Sequence, residues 1–292
     1  MWAGMRGTSS KGYLTDERIK FAQLNLGNKQ ELKSQLTSYR EQMNGKWDYV
    51  VHAAGATKCL NIEDFYRTNT QGTINLIEAL QETDMVPERF VFVSSLSVFG
   101  AIRETPVKAK CQDYGKGEEI REEESIYSPI MLGDKPKPNT AYGMSKLRAE
   151  EYLQQIDPAL FPYVILRPTG VYGPREKDYF VMAKSIAGHT DFAVGYQPQE
   201  ITFIYVLDVV QAIFKSMDAP AALGKAYFLS DGKIYNSRRF SDLLQQELGN
   251  PWVLRIKAPK IILKAICKVG GMIGKMSGKM IVLNDDKYNI LS

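Results

Sequence analysis

Histidine is nearly absent from this chain: only His52 and His189 occur in 292 residues. That scarcity argues against a histidine-built metal centre and against a Ser-His-Asp triad, since both need imidazole at the reacting centre. Cysteine is scarce too. Cys59, Cys111 and Cys267 have neither metal-ligand nor disulfide-framework spacing, which fits a reducing cytoplasm and no bound metal. No stretch reaches the run of about 18 apolar residues that a membrane-crossing helix needs. The opening Met1-Trp2-Ala3-Gly4-Met5-Arg6 lacks the apolar core of a signal peptide, so a cytoplasmic location is expected. Charge of one sign is also lacking. The 37 basic and 33 acidic residues leave a formal net charge of +4, too small and too spread out to indicate a nucleic-acid partner.

What is present is ordinary globular material, 44% hydrophobic and 24% charged, enough for one large α/β domain or a two-lobed enzyme. Residues 19–26 read as a short strand and 29–39 as a polar helix. Residues 47–54 (WDYVVHAA) form a nearly continuous apolar run stopped by Gly55, which predicts a parallel strand buried on both faces. A helix is predicted over 65–80, a strand over 89–94 (RFVFVS), a helix over 140–156 and a strand over 163–167 ended by Pro168. Beyond Pro174 the spacing predicts a helix over 179–187, a strand over 201–205, a helix over 206–217 and a strand over 226–229. A last helix, capped by Asn236 or Ser237, is expected to run to Leu248. Strands alternating with helices at this spacing imply βαβ units and a doubly wound parallel sheet. Residues 100–138, with Glu118, Glu119, Glu122, Glu123 and Glu124 clustered, read as a solvated surface loop whose length also suits a lid.

Ala141-Tyr142-Gly143-Met144-Ser145-Lys146 carries the chemistry. One helical turn separates Tyr142 from Lys146, which puts both on one face. A cation there would favour the phenolate, lowering the tyrosine pKa into a useful range for proton transfer at a carbinol oxygen. With 16 tyrosines, about one such spacing is expected by chance, so its neighbours decide. Small residues in His52-Ala53-Ala54-Gly55 would let a dinucleotide approach the backbone beyond a strand end, and His52 itself reads as a packed core residue. Val93-Ser94-Ser95-Leu96-Ser97-Val98-Phe99-Gly100 ends the next strand with hydroxyls that could hold a developing oxyanion. Leu166-Arg167-Pro168-Thr169-Gly170-Val171-Tyr172-Gly173-Pro174 ends a third strand in a rigid turn.

In that order and spacing, HAAG, SSLSVFG, YGMSK and RPTGVYGP closely resemble the extended short-chain dehydrogenases/reductases, and within them the NAD-dependent epimerase/dehydratase group. That group includes sugar-nucleotide epimerases, dihydroflavonol-type reductases and 3β-hydroxysteroid-type dehydrogenases. The resemblance implies a Rossmann-like α/β fold with residues 1–172 as nucleotide-binding domain. Residues 173–292 would form mainly a small C-terminal substrate lobe, with 200–229 returning to the sheet. It implies catalysis by Tyr142, with Lys146 tuning it and holding the nicotinamide ribose, and Ser95 as the catalytic hydroxyl with Ser94 its near rival. Asn25 and Leu26 fall where an Asp-Leu pair usually contacts adenine. Ala53, Ala54 and Gly55 match the backbone platform under the cofactor, and Asn69 the asparagine on the helix beside it. Val93 and Ser94 fall on the cofactor side of their strand end, Pro168, Thr169 and Val171 near the carboxamide, and Thr57 and Lys58 at the substrate-facing edge. A small-molecule substrate and a homodimer through the helices at Phe65 and Thr140 are further implications.

The glycine-rich turn G-x-x-G-x-x-G, which cradles the pyrophosphate in this family, is not found in residues 1–60. By resemblance Met1–Arg6 looks like the second strand of the sheet, entered partway, so a sheet lacking its first strand and glycine-rich loop is expected. A cofactor-deficient, non-catalytic remnant of the family is therefore the alternative reading. After that strand, Arg6 and Lys11 would pair with a 2′-phosphate, which leans the cofactor from NAD towards NADP. Residues 259–280 alternate lysines with apolar residues and are expected to pack in the C-terminal lobe rather than on a membrane.

Overall fold

The computed structural model of the chain describes residues 1–100, 129–131, 133–194 and 200–258. Strand β1 (Trp2–Met5) pairs parallel with β2 (Lys20–Gln23), Trp2 opposite Lys20 through Met5 opposite Gln23. Helix α1 (Lys29–Met43) starts where the Asn28 side chain accepts the Glu31 N–H, and it stops at Asn44, which turns left-handed at φ 49°. Leu32 and Leu36, four residues apart, are its fully buried positions. Strand β3 (Tyr49–His52) follows.

The single helix expected over 65–80 is in fact three pieces: α2 (Ile62–Phe65), a π-helical turn (Tyr66–Gln71) and α3 (Gly72–Glu82). A π turn inserts an extra residue and re-aims its side chains, a device that recurs at functional sites; here it carries Asn69. Strand β4 (Arg89–Val93), helix α4 (Ala141–Gln154) and strand β5 (Tyr163–Pro168) come next, near their expected positions. The chain continues through β6 (Gly170–Tyr172), α5 (Asp178–Ala187), β7 (Thr190–Val194), β8 (Glu200–Ile201), β9 (Phe203–Tyr205), α6 (Val206–Asp218) and β10 (Ala226–Leu229). It closes with β11 (Tyr235–Asn236), α7 (Ser237–Glu247) and β12 (Leu254–Ala258), and of the two candidate caps it is the Asn236 side chain that accepts at the start of α7.

Two compact units emerge. The first comprises Met1–Ser95, Ala141–Arg167 and Val210–Phe228. Within it β3, β4 and β5 run parallel in a four-stranded sheet ordered β10-β5-β4-β3, while β1 and β2 form a separate parallel pair. Alternation on β4 sends Phe90 and Phe92 into a core shared with Leu36 of α1, Leu80 of α3 and Leu153 of α4. The expectation that β3 is buried on both faces is corrected. It is an edge strand of its sheet among the described residues, and Tyr49 and Val51 are exposed while His52 is buried. An apolar run is the same string of letters whether one face or two are covered, so periodicity could not separate the cases.

The second unit comprises the described parts of Leu96–Thr140, Pro168–Val209 and Leu229–Ser292. Its strands pair as β6 with β9, β7 with β12 and β8 with β11, around an aromatic cluster in which Phe203 stacks on Phe240 at 4.7 Å. The rigid turn expected after β5 is built on Gly173, at φ 137°, where an added Cβ would meet Val206 Cγ1 at 2.7 Å. The basic apolar segment 259–280 and most of the acidic loop 100–138 lie outside the described residues. Among the described residues no helix is long and apolar enough to cross a membrane, and no cluster of His, Cys, Asp or Glu could hold a metal ion.

Candidate active site

Every side chain that converges here belongs to the first unit. Tyr142 lies in the first turn of α4, Lys146 one turn on and Glu150 one turn further. The Tyr142 hydroxyl hydrogen-bonds the Ser95 side chain, and its ring meets buried Phe65 edge-on at 6.2 Å. Ser95 is thus the hydroxyl joined to the phenol. Ser94 is buried and its Oγ has no hydrogen-bond partner, an unpaid polar group that a ligand can satisfy.

Lys146 is 4% exposed. Its ammonium donates to the Val93 carbonyl at 3.0 Å and lies over the Phe92 ring, 5.0 Å from the centroid. Burial pulls its pKa down to about 8, against a smaller upward pull from the Glu150 charge. The expected lowering of the Tyr142 pKa by Lys146 is not found. Burial holds the phenol above its usual value, and the opposing influence is the hydrogen bond from Ser95. Sharing one helix face brings two side chains near each other, but desolvation decides which form of a buried phenol is favoured.

Asn69, fully buried on the π turn, ties the surroundings together. Its Oδ1 accepts the Ala56 N–H at 2.7 Å, and its Nδ2 donates to the Ala56 carbonyl at 2.9 Å and to Ser145 Oγ at 3.0 Å. Ser145 Oγ donates in turn to the Tyr142 carbonyl, while Thr70 Oγ1 donates to the Ser145 carbonyl. The loop after β3 is thereby locked to α4. Sequence reading found Asn69 but missed Ser145 and Thr70, because nothing in TNTQGT announces a π turn. Ser145→Ala is expected to lower stability by about 1–3 kcal/mol, the net worth of the two hydrogen bonds its hydroxyl makes, with Asn69 and with the Tyr142 carbonyl, measurable by denaturant titration.

The other expected residues divide. Gly55 is part of the same cluster: a Cβ there would sit 3.1 Å from Asn69 Oδ1 and 3.2 Å from Lys146 Nζ. Ala53, Ala54, Thr57 and Lys58 are exposed on either side of it. The Asn25 side chain is already engaged, donating to Glu31 at 2.6 Å and accepting from the Gly27 N–H, and the Leu26 carbonyl accepts from Asn75. Arg6 and Lys11 lie on the exposed loop after β1, Lys11 over the Phe21 ring at 4.4 Å. Pro168, Thr169 and Val171 belong to the second unit, where Thr169 Oγ1 is buried without a hydrogen-bond partner and Val171 pairs with Ile204.

His52 is a core residue, as expected from the sequence. It stacks on Phe92 at 5.6 Å and its Nε2 meets Thr73 Oγ1 at 2.8 Å. Burial first, then the Lys146 charge, push its pKa down to about 3. The unfolded chain, with histidine near 6.5, then binds the proton that the folded chain refuses. Stability should therefore fall as pH drops from about 6.5 towards 3, by up to about 1.4 kcal/mol per unit from this group. Subtracting the stability–pH curve of His52→Asn from that of the wild type should isolate this slope; parallel curves would contradict it.

The structure and sequence both lead to known relatives. A model of the NAD dependent epimerase/dehydratase family matches residues 3–236. UDP-glucose 4-epimerase of Vibrio cholerae is 28% identical over 217 residues, 71% of this chain and 59% of that protein. Sterol-4-alpha-carboxylate 3-dehydrogenase of Schizosaccharomyces pombe is 22% identical over 249 residues, 78% of this chain and 67% of that protein. The matches thus span about three fifths to two thirds of these relatives' lengths. Among solved structures, UDP-glucose 4-epimerase of Thermotoga maritima with UDP-glucose superposes at TM-score 0.67 and 18% identity, covering 88% of this chain and 77% of that one. The Thermus thermophilus UDP-glucose 4-epimerase complex with NAD gives 0.65 and 19%, covering 88% and 78%. The fold is the Rossmann-type α/β fold of those enzymes, and the chain belongs to the NAD-dependent epimerase/dehydratase family.

Proposed function

We propose that this site performs hydride-transfer chemistry at a secondary carbinol or carbonyl carbon, with Tyr142 as the proton relay. The observation that carries the reading is the Ser95–Tyr142 hydrogen bond, set beside a buried Lys146 on the same helix. At pH 7 a phenol held above its usual pKa is neutral, so Tyr142 in this state is a donor to a carbonyl oxygen. The Ser95 hydroxyl orients that oxygen and shares its developing charge.

The residues around Lys146 fit the nicotinamide end of a dinucleotide, while the glycine-rich turn that would cradle its pyrophosphate is not found in residues 1–60. Gly55, beyond β3, leaves open the space beside Asn69 and Lys146 that a Cβ would fill, and Ser94 Oγ is an unpaired buried group at the end of the neighbouring strand β4. Lys146 would hold the nicotinamide ribose through hydroxyl contacts, with Ala53, Ala54 and Gly55 as the backbone platform. NAD(P), when bound, supplies the hydride acceptor or donor. Arg6 and Lys11, exposed beyond β1, suit a 2′-phosphate and favour NADP over NAD. The relatives support two substrate classes: a nucleotide sugar, as the epimerase name indicates, or a steroid-like carbinol or ketone, as the sterol dehydrogenase name indicates.

The Lys146 ammonium loses its proton as pH rises through about 8. Cofactor affinity that depends on it should be complete well below pH 8 and decline above it. Titrating cofactor fluorescence between about pH 6 and 10 checks this. An affinity flat across that window would remove Lys146 from the binding account.

A further inference from the structure

Asn69 and Thr73 stand four residues apart where the π turn runs into α3, and both are fully buried. Each holds one end of the segment His52–Ala56 that leaves β3. The Thr73 hydroxyl donates to the Asn69 carbonyl at 2.6 Å, a bond that threonine often makes to the carbonyl four residues back. A hydroxyl has one proton, so towards His52 Nε2, 2.8 Å away, Thr73 Oγ1 can only accept. The imidazole is neutral at pH 7, and its single proton therefore sits on Nε2. At the far end of the segment both backbone groups of Ala56 bond the Asn69 side chain, the N–H at 2.7 Å and the carbonyl at 2.9 Å. Between these two anchors Ala53, Ala54 and Gly55 are exposed.

Hydroxyl back-bonding alone is ordinary, and Thr83, at the C-terminal end of α3, makes the same bond to the Ala79 carbonyl at 2.7 Å. Thr73 differs in that an imidazole from another element meets the same oxygen. We propose that His52 and Thr73 are positioning residues for the dinucleotide site: together they fix one end of the exposed Ala53–Gly55 backbone, Asn69 fixes the other, and the platform keeps its shape before a ligand arrives. Gly55 is where that shape matters most. An added Cβ there would lie 3.1 Å from Asn69 Oδ1 and 3.2 Å from Lys146 Nζ, so a small drift of the segment changes the space beside both. Ordering a backbone in advance spares a ligand the cost of ordering it on binding. The inference rests on the proposed reading of this segment as a cofactor platform, but the hydrogen bonds exist in the chain by itself.

Three measurements test it without substrate. Nitrogen-15 histidine labelling reads the His52 tautomer directly, since replacing the exposed His189 in His189→Asn leaves only the His52 resonances. The Nε2–H form is expected. An Nδ1–H form would reverse the Thr73 bond and overturn the proposal, and this reading holds even where a Thr73 variant fails to fold. Next, Thr73→Val removes the hydroxyl and keeps the shape of the side chain. The Ala56 amide should then exchange with solvent about tenfold faster or more, after the variant's loss of global stability, from urea titration, is taken out. Thr73→Ser, which keeps the hydroxyl, should restore slow exchange, and Thr83→Val should leave Ala56 at the wild-type value on the same scale. Equal corrected exchange in Thr73→Val and Thr83→Val would reduce the pair to packing and contradict the proposal. Last, NADPH affinity by fluorescence should weaken roughly threefold or more in Thr73→Val and not in Thr83→Val. Binding by Thr73→Val as tight as that of the wild type would remove the positioning role. If the wild type binds no cofactor while Ala56 exchange responds as expected, the cofactor reading fails and the pinning of the segment stands.

Discussion

Replacing Tyr142 with phenylalanine is expected to cut turnover by about a hundred- to ten-thousandfold, the range that a positioned acid–base group contributes. Only the phenolic oxygen is removed. The ring keeps its edge contact with Phe65, so fold and cofactor affinity should be unchanged. Ser95 loses its hydrogen bond to the phenol but stays at its strand end, which separates this variant from one that disturbs packing. Steady-state rates with a nucleotide-sugar panel and with small ketones, alongside circular dichroism, check the expectation. Equal loss of kcat and kcat/KM, with KM unaltered, is the pattern for an interaction made only in the transition state. Unchanged turnover would sink the proton-relay assignment.

A second large effect is expected in stability. Glu150→Leu removes the buried carboxylate that Arg167 grips, and breaking such a buried pair from one side costs about 3–5 kcal/mol. Adding Arg167→Met removes the second buried charge and should recover most of that loss, since an apolar pair of similar volume is often as stable as the ion pair. Urea denaturation of the two single variants and the double variant measures the cycle. A double variant that loses the sum of both single effects would mean that the two residues act independently.

The alternation of strands and helices was legible because it rests on long periodic segments, and the ends of β4 and β5 fall within about a residue or two of expectation. The meeting of α4 with the end of β4, Tyr142 with Ser95 and Lys146 with the Val93 carbonyl, was legible from YGMSK and SSLSVFG, since short polar motifs at strand ends survive translation from letters to geometry. Burial was not. Whether Tyr49 and Val51 face a neighbour depends on what lies beyond β3, and whether Lys146 lowers or spares the Tyr142 pKa depends on how much water each retains. The π turn escaped for a different reason. It changes the aim of Asn69 without changing the apolar period of α3, so the residues it brings together, Ser145, Thr70 and Ala56, left no sequence signal. Nothing in the sequence links Glu150 to Arg167, seventeen residues on; only the packing of α4 against β5 makes them a pair.

The claim that Lys146 and the strand ends around it form a nicotinamide dinucleotide site is tested most directly by fluorescence titration of the chain with NADPH and NADH, set against Lys146→Met. The account predicts saturable binding, tighter for NADPH than for NADH, and weakened about tenfold or more in the variant, equivalent to roughly 1.4 kcal/mol. Absence of saturable binding by either nucleotide, or binding that Lys146→Met leaves unchanged, would contradict it.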